Sequence, residues 1–213
     1  MVGTTFRNAP GTAALIVVDV QNDFCDPAGV CGTAGRDTSL AVDMVPRLER
    51  LLESARGAGV LVVFVQTMHD ETTDSPVWLS RRVVDGEPVA ARTSTCRPGS
   101  WGAEFYRVAP APGEPVVVKH RYSAFTGTDL DTLLRTAGIT SLLLTGVATD
   151  VCVDSTLRDG LFHDYHVTLV KDCCASYHEE GHAATVQTVN RHFGAVTTGG
   201  ELADAWDPAL RPV

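Results

Sequence analysis

Uninterrupted apolar runs constrain this chain more than any other feature of its sequence. Ala13–Val18 reads Ala-Ala-Leu-Ile-Val-Val, and residues 60–65 read Val-Leu-Val-Val-Phe-Val. Neither run alternates with polar residues, as a strand with one wet face would. A strand that is apolar at every position is covered on both faces, which is the situation of a parallel sheet between helices. Between the two runs lies a helical pattern. Leu40, Met44, Val45, Leu48, Leu51, Leu52 and Ala55 recur at steps of three and four, and Gly57 and Gly59 stop it. Strand, amphipathic helix and strand make a right-handed parallel unit.

The alternation continues. Residues 116–118 form a short apolar run, and Leu130, Leu133, Leu134 and Ala137 a helix closed by Gly138. A buried strand over 141–145 turns tightly at Gly146 into a helix starting near Thr149 or Asp150, with Val153, Leu157, Leu161 and Phe162 on its apolar face. A fifth strand covers 167–170 and ends at Asp172. A helix follows through Ala183, Ala184, Val186, Val189 and Phe193, then a sixth strand at Ala195–Thr197 and a short helical piece at 202–206. Residues 25–37, rich in Gly, Pro, Asp and Thr, read as a loop, and 101–106 as a short helix start. The long irregular segment 66–100 reads as a binding loop or lid. The expected fold is α/β, a doubly wound and mostly parallel sheet with helices on both faces, in one domain spanning 1–213.

Composition removes several function classes. The net charge of −9 argues against a nucleic-acid or anionic-membrane surface. No apolar run approaches the ~20 residues of a membrane span. The first ten residues lack the apolar core of a signal peptide, so a cytoplasmic location is expected. The cysteines Cys25, Cys31, Cys96, Cys152, Cys173 and Cys174 have neither the spacing of a disulfide framework nor that of a zinc site. The adjacent Cys173 and Cys174 read as packing on the sheet. His178 and His182 are four apart, without a third ligand. No Gly-x-Gly-x-x-Gly turn follows the first strand and no Walker A motif occurs, so no dinucleotide site is expected.

Three reactive side chains fall at strand ends on one edge of the sheet, where open α/β sheets bind ligands. Asp19 follows the first strand, Lys119 ends the third, and Cys152 lies in the first helical turn after the fourth. Each alone has a bland reading: a turn cap, a solvated lysine, a small buried thiol. Together they make a chemical unit. The helix N-terminus and Lys119 favour the thiolate of a Cys152 nucleophile. Asp19 accepts the thiol proton and returns it to a leaving amine. Backbone N–H groups of the turn from Gly146 to Cys152 hold an oxyanion. This is the chemistry of C–N hydrolysis through an acyl-enzyme.

Three blocks carry a family likeness: Leu15-Ile-Val-Val-Asp-Val-Gln-Asn-Asp-Phe24, Lys119-His-Arg-Tyr-Ser-Ala-Phe125, and Leu144-Thr-Gly-Val-Ala-Thr-Asp-Val-Cys-Val-Asp-Ser-Thr-Leu-Arg-Asp159. On these the chain resembles the isochorismatase-like cysteine hydrolase superfamily, which includes nicotinamidases, N-carbamoylsarcosine amidase, ureidoacrylate amidohydrolases and biuret hydrolases. The likeness runs from about residue 12 to 200. It implies a six-stranded parallel sheet and an Asp19–Lys119–Cys152 triad. It also implies a cis peptide between Val147 and Ala148 that turns the Ala148 and Cys152 N–H groups toward one oxygen. It further implies a homodimer or homotetramer.

One departure narrows the reading. Nicotinamidases carry an Asp-x-His and a further His three residues on, and bind a divalent metal there. The matching residues here are Thr67-Met-His69 and Thr72. A lone His69 makes no metal site, so no metal and no cofactor is expected. Vinyl-ether-cleaving isochorismatases lack the nucleophilic cysteine. What remains is the metal-independent amidase branch, with a small carbamoyl or ureido amide as substrate. The Arg121-Tyr-Ser-Ala-Phe stretch and the Gly99-Ser-Trp-Gly run look most like that branch. Alternatives are a nicotinamidase-type amidase on another small amide, and a catalytically idle relative serving as a binding subunit.

The residues expected to wall a substrate pocket are Gln21, Phe24, Trp78, Trp101, Tyr122 and Phe125. Arg81, Arg82, Arg92 and Arg97 are candidates for a substrate carboxylate, and Arg158 and Asp159 for structural ion pairs.

Overall fold

A computed structural model describes residues 8–81, 94–207 and 209. Its centre is a six-stranded sheet in the order β3-β2-β1-β4-β5-β6, with every neighbouring pair parallel. The strands are β1 (Ala13–Val18), β2 (Leu61–Thr67), β3 (Val116–Lys119), β4 (Ser141–Val147), β5 (His166–Ala175) and β6 (Ala195–Thr197). The order reverses between β1 and β4, which opens a crevice at their C-terminal ends.

All six residues of β1 are wholly buried, because β1 has strands on both sides and helices above and below. Ala13, Leu15 and Val17 face one core with Met44, Leu48, Leu51 and Leu52 of α3 (Ser39–Gly57) and Leu202 and Trp206 of α8 (Gly199–Trp206). Ala14, Ile16 and Val18 face the other, with Leu130 and Leu134 of α5 (Leu130–Thr136) and Leu157 of α6 (Asp154–Phe162). Truncating any one of these leucines to alanine costs about 2–5 kcal/mol. Further helices among the described residues are α1 (Asn22–Cys25), α2 (Val30–Thr33), α4 (Pro76–Ser80) and α7 (Glu179–Thr188).

The sheet and its flanking helices match the sequence reading, and the differences are local. Residues 25–37, read as loop, contain single helical turns, α2 and the end of α1. Asp23 and Asp26 fasten them by accepting the N–H groups of Val30 (3.1 Å) and Ala28 (2.8 Å). The expected helix at 101–106 is a single 3-10 turn, Trp101–Ala103. β5 does not stop at residue 170 but runs on to Ala175. Its pairing with β4 jumps from Leu144–Leu169 to Gly146–Cys174, so Lys171 and Asp172 bulge out of a strand that resumes beyond them. The edge strand β3 alternates, with Val116 and Val118 exposed, because one of its faces is left uncovered. Among the described residues, no helix is long and apolar enough to cross a membrane.

Gly146 is the tightest point of the sheet. A Cβ there would lie 2.0 Å from the Val18 carbonyl oxygen, and its φ is +106°. Only glycine lets β4 approach β1 this closely just before both strands end.

Candidate active site

β1, β2, β3 and β4 all end at the same edge, and their last residues meet. Asp19 leaves β1 with φ of 53° while its N–H still donates to the Val65 carbonyl at 3.0 Å. Asp19 and Lys119 are both 1% exposed, and Lys119 Nζ lies 2.8 Å from Asp19 Oδ2. Thr67, the last residue of β2, sits between them. Its hydroxyl donates to Asp19 Oδ1 at 2.9 Å and accepts from Lys119 Nζ at 2.7 Å. Nζ also donates to the Arg121 carbonyl at 3.0 Å. The contact to Asp19 Oδ2 is close but poorly directed, and that oxygen has no well-aligned donor. The Cys152 thiol lies within electrostatic reach of both Asp19 and Lys119.

The electrostatics correct one expectation. Burial pushes the Cys152 thiol far up; Lys119 pulls it back, and Asp19 adds to the rise. The resting group is a thiol rather than the thiolate expected from Lys119 and the helix end. The reason is that Asp19 already neutralises Lys119, so the pair offers little net charge to the partly buried thiol. Burial alone would lower the Lys119 ammonium, yet the adjacent carboxylate and thiol outweigh it and raise it, so the cation persists.

Cys152 lies in a π-helical turn, Thr149–Val153, that leads into α6. The peptide between Val147 and Ala148 is cis. The Ala148 carbonyl accepts the N–H groups of Val151 and Val153, each at 3.1 Å. Cys152 falls between those two donors, in the turn that opens the helix.

Beside Lys119 stands a cationic and aromatic wall. The Trp78 and Tyr122 rings are 4.9 Å apart, and His69 lies 5.7 Å from Trp78. The Arg81 guanidinium covers Trp78 at 3.5 Å and donates to the Tyr122 hydroxyl at 2.9 Å. The Arg121 guanidinium is 4.8 Å from the same indole. Among the described residues, neither arginine forms an ion pair with a carboxylate. Arg97 does, with Asp74 at 2.5 Å. Arg82 and Arg92 lie outside the described residues. Burial lowers His69 to about 4, against the pull of Asp74, whose Oδ1 is 3.6 Å from Nδ1. Thr72 bonds Asp70 instead of facing His69. Among the described residues, no three metal-ligating side chains converge.

Four of the six expected pocket residues are elsewhere. Gln21 is wholly buried, and its amide is consumed by backbone: it donates to the Thr67 and Ala103 carbonyls at 2.9 and 2.8 Å and accepts the Thr67 N–H at 2.8 Å. It fastens loops and has no donor left for a ligand. Phe125 points into the core, stacked on His163 at 4.9 Å and near Tyr165. Phe24 packs against the α3 core, and Trp101, about half exposed, anchors Asn22 through its carbonyl. Only Trp78 and Tyr122 of the six adjoin Lys119. Thr67 was legible only as a missing metal ligand; its signal was a hydroxyl at the end of the strand between those of Asp19 and Lys119. On α6, Arg158 pairs with Asp154 at 2.8 Å and covers Phe193, while Asp159 is not its partner. All six cysteines are free thiols, with Cys173 and Cys174 buried in β5.

Comparison with known proteins places this architecture. Residues 13–201 match the family signature described as "Isochorismatase domain". The ureidoacrylate amidohydrolase RutB of Enterobacter sp. (strain 638) is 34% identical over 214 residues, covering 94% of this chain and 91% of the relative. A cysteine hydrolase from Pseudomonas syringae pv. phaseolicola 1448A superposes with a TM-score of 0.80 at 26% identity, over 92% of this chain and 93% of the other. An N-carbamoylsarcosine amidase from Thermoplasma acidophilum does so with 0.70 at 28% identity, over 88% and 96%. A family signature that spans most of the chain, together with these relatives, leaves one conclusion: the chain belongs to the isochorismatase family.

Proposed function

We propose that this protein is a cysteine amidohydrolase that cleaves the C–N bond of a small ureido or carbamoyl compound. The observation that carries the reading is the buried Asp19–Lys119 pair, 2.8 Å apart, set within electrostatic reach of the Cys152 thiol. The relatives named ureidoacrylate amidohydrolase and N-carbamoylsarcosine amidase support the substrate class.

The chemistry follows from the resting thiol. As Sγ attacks the substrate carbonyl carbon, Asp19 takes the thiol proton. The N–H groups of Ala148 and Cys152 receive the oxyanion. Asp19 then gives its proton to the departing nitrogen, and the C–N bond breaks to leave an acyl group on sulfur. Water, deprotonated by the same carboxylate, hydrolyses that thioester and restores the thiol. Lys119 stays charged throughout. It holds Asp19 in place and stabilises the sulfur as negative charge develops there.

Arg81 and Arg121, unpaired with any described carboxylate, favour a substrate that carries its own. Release of ammonia from a panel of N-carbamoyl acids, ureidoacrylate, biuret and nicotinamide tests the reading. Turnover of the ureido acids, abolished in Cys152→Ala with the fold intact, supports it. Retained activity in that variant, or no turnover anywhere, ends it.

A further inference from the structure

The turn that presents Cys152 is held from below by residues that the reaction scheme does not use. Thr149, wholly buried, follows Ala148 directly, and its Oγ1 makes a 2.9 Å hydrogen bond with His182 Nδ1. The neighbouring Asp150 accepts the Ser176 hydroxyl at 2.5 Å. A Cβ on Gly181 would lie 2.6 Å from Asp150 Oδ2, so the carboxylate is pressed against the first turn of α7. His182 and Gly181 belong to α7 and Ser176 to the link that enters it. The nucleophile turn is thus fastened at consecutive residues to α7 and the link that enters it, and His182 is the buried Thr149 hydroxyl's partner.

We infer that His182 is a positioning residue. Through Thr149 it fixes the direction of the Ala148 and Cys152 N–H groups that receive the substrate's carbonyl oxygen. The inference rests on the amidohydrolase reading above. Without the imidazole, Thr149 is left with a buried, unsatisfied hydroxyl, which must turn to find another partner. Turning it rotates the peptide next to Ala148. Oxyanion donors work only when aimed at where the oxygen's charge develops, and a misplacement of 1 Å can cost about a hundredfold. That interaction is made in the transition state and not in the ground state, so its loss is read in kcat and not in KM.

The test is steady-state kinetics on the best ureido substrate, at a temperature where melting curves show each variant folded. His182→Ala is expected to lower kcat about 10- to 100-fold with KM within about twofold. His182→Asn, whose amide can donate or accept near the position of Nδ1, is expected to recover most of the loss. Thr149→Val is expected to match His182→Ala, and the double variant to be no worse than either, because both remove one contact. If His182→Ala does not fold, the near-isosteric Thr149→Val and His182→Asn carry the same comparison. A His182→Ala enzyme within about twofold of wild-type kcat overturns the inference alone, as do losses that multiply in the double variant. A wild type inactive on the whole panel overturns the reaction reading and this inference with it.

Discussion

The Thr67 hydroxyl bridges Asp19 and Lys119, donating to the carboxylate at 2.9 Å while accepting from the ammonium at 2.7 Å. Both partners are buried, so the hydroxyl satisfies two charged groups that water cannot reach. Thr67→Val keeps the shape and removes both bonds. It is expected to cost about 1–3 kcal/mol of stability and to lower kcat at least tenfold, with Thr67→Ser restoring both. Urea denaturation and initial rates measure the two effects. A valine variant as stable and as active as wild type would show that the bridge is dispensable.

Stability is expected to fall in alkaline solution. Burial raises the thiols of Cys25, Cys96, Cys152, Cys173 and Cys174 above their ordinary range, Cys173 to about 12. A raised thiol stays protonated in the folded chain while the unfolded chain loses the proton near pH 8.5. The stabilisation is therefore whole below that pH and is lost as the pH climbs toward the folded values. Each such thiol costs up to about 1.4 kcal/mol per further pH unit. The urea midpoint should drop between pH 7.5 and 9.5; a flat or rising midpoint contradicts the account.

In acid the sign reverses for His69. Burial holds it neutral down to about 4, whereas an unfolded histidine takes up a proton near 6.5. The unfolded state binds more protons in that window, so stability declines as pH falls from about 6.5 to 4. His69→Gln should flatten that part of the midpoint-versus-pH curve, and an unchanged slope would assign the acid sensitivity elsewhere.

Arg81 and Arg121 predict a selectivity. Arg81→Gln should raise KM for ureido acids about 10-fold or more, at the scale of a lost charge-assisted contact, and leave neutral amides nearly unaffected. Equal effects on the acid and on its methyl ester would remove the carboxylate from the argument.

Chelation should leave the rate unchanged, since His69 faces Trp78 and Asp74 and, among the described residues, lacks the companion ligands a metal needs. Inactivation by EDTA with rescue by zinc would restore a metal-dependent reading.

The fold was legible where burial is total. β1 and α3 declare themselves because every position of the strand and one face of the helix are apolar. β5 hid its length because Lys171 and Asp172 interrupt it, and only the bulge against β4 makes that tolerable. Asp19, Lys119 and Cys152 were recognisable because each closes or follows a strand. Gln21 misled for the same reason: a polar side chain at the ligand edge reads as available. Its acceptors belong to residues 46 and 82 positions away, a relation that no local pattern displays. Thr67 went unseen because its value lies wholly in its two neighbours across the sheet.

The strand order has a consequence for the choice of cation. Asp19 extends from β1 and Lys119 from β3, with β2 between them. At about 4.8 Å per strand, the two backbones stand roughly 10 Å apart. A histidine at the end of β3 would stop short of the carboxylate, and the planar fork of an arginine would have to displace the Thr67 hydroxyl. A point charge on a long, flexible stem is the side chain that spans this gap, so the identity of residue 119 is dictated by reach as much as by charge.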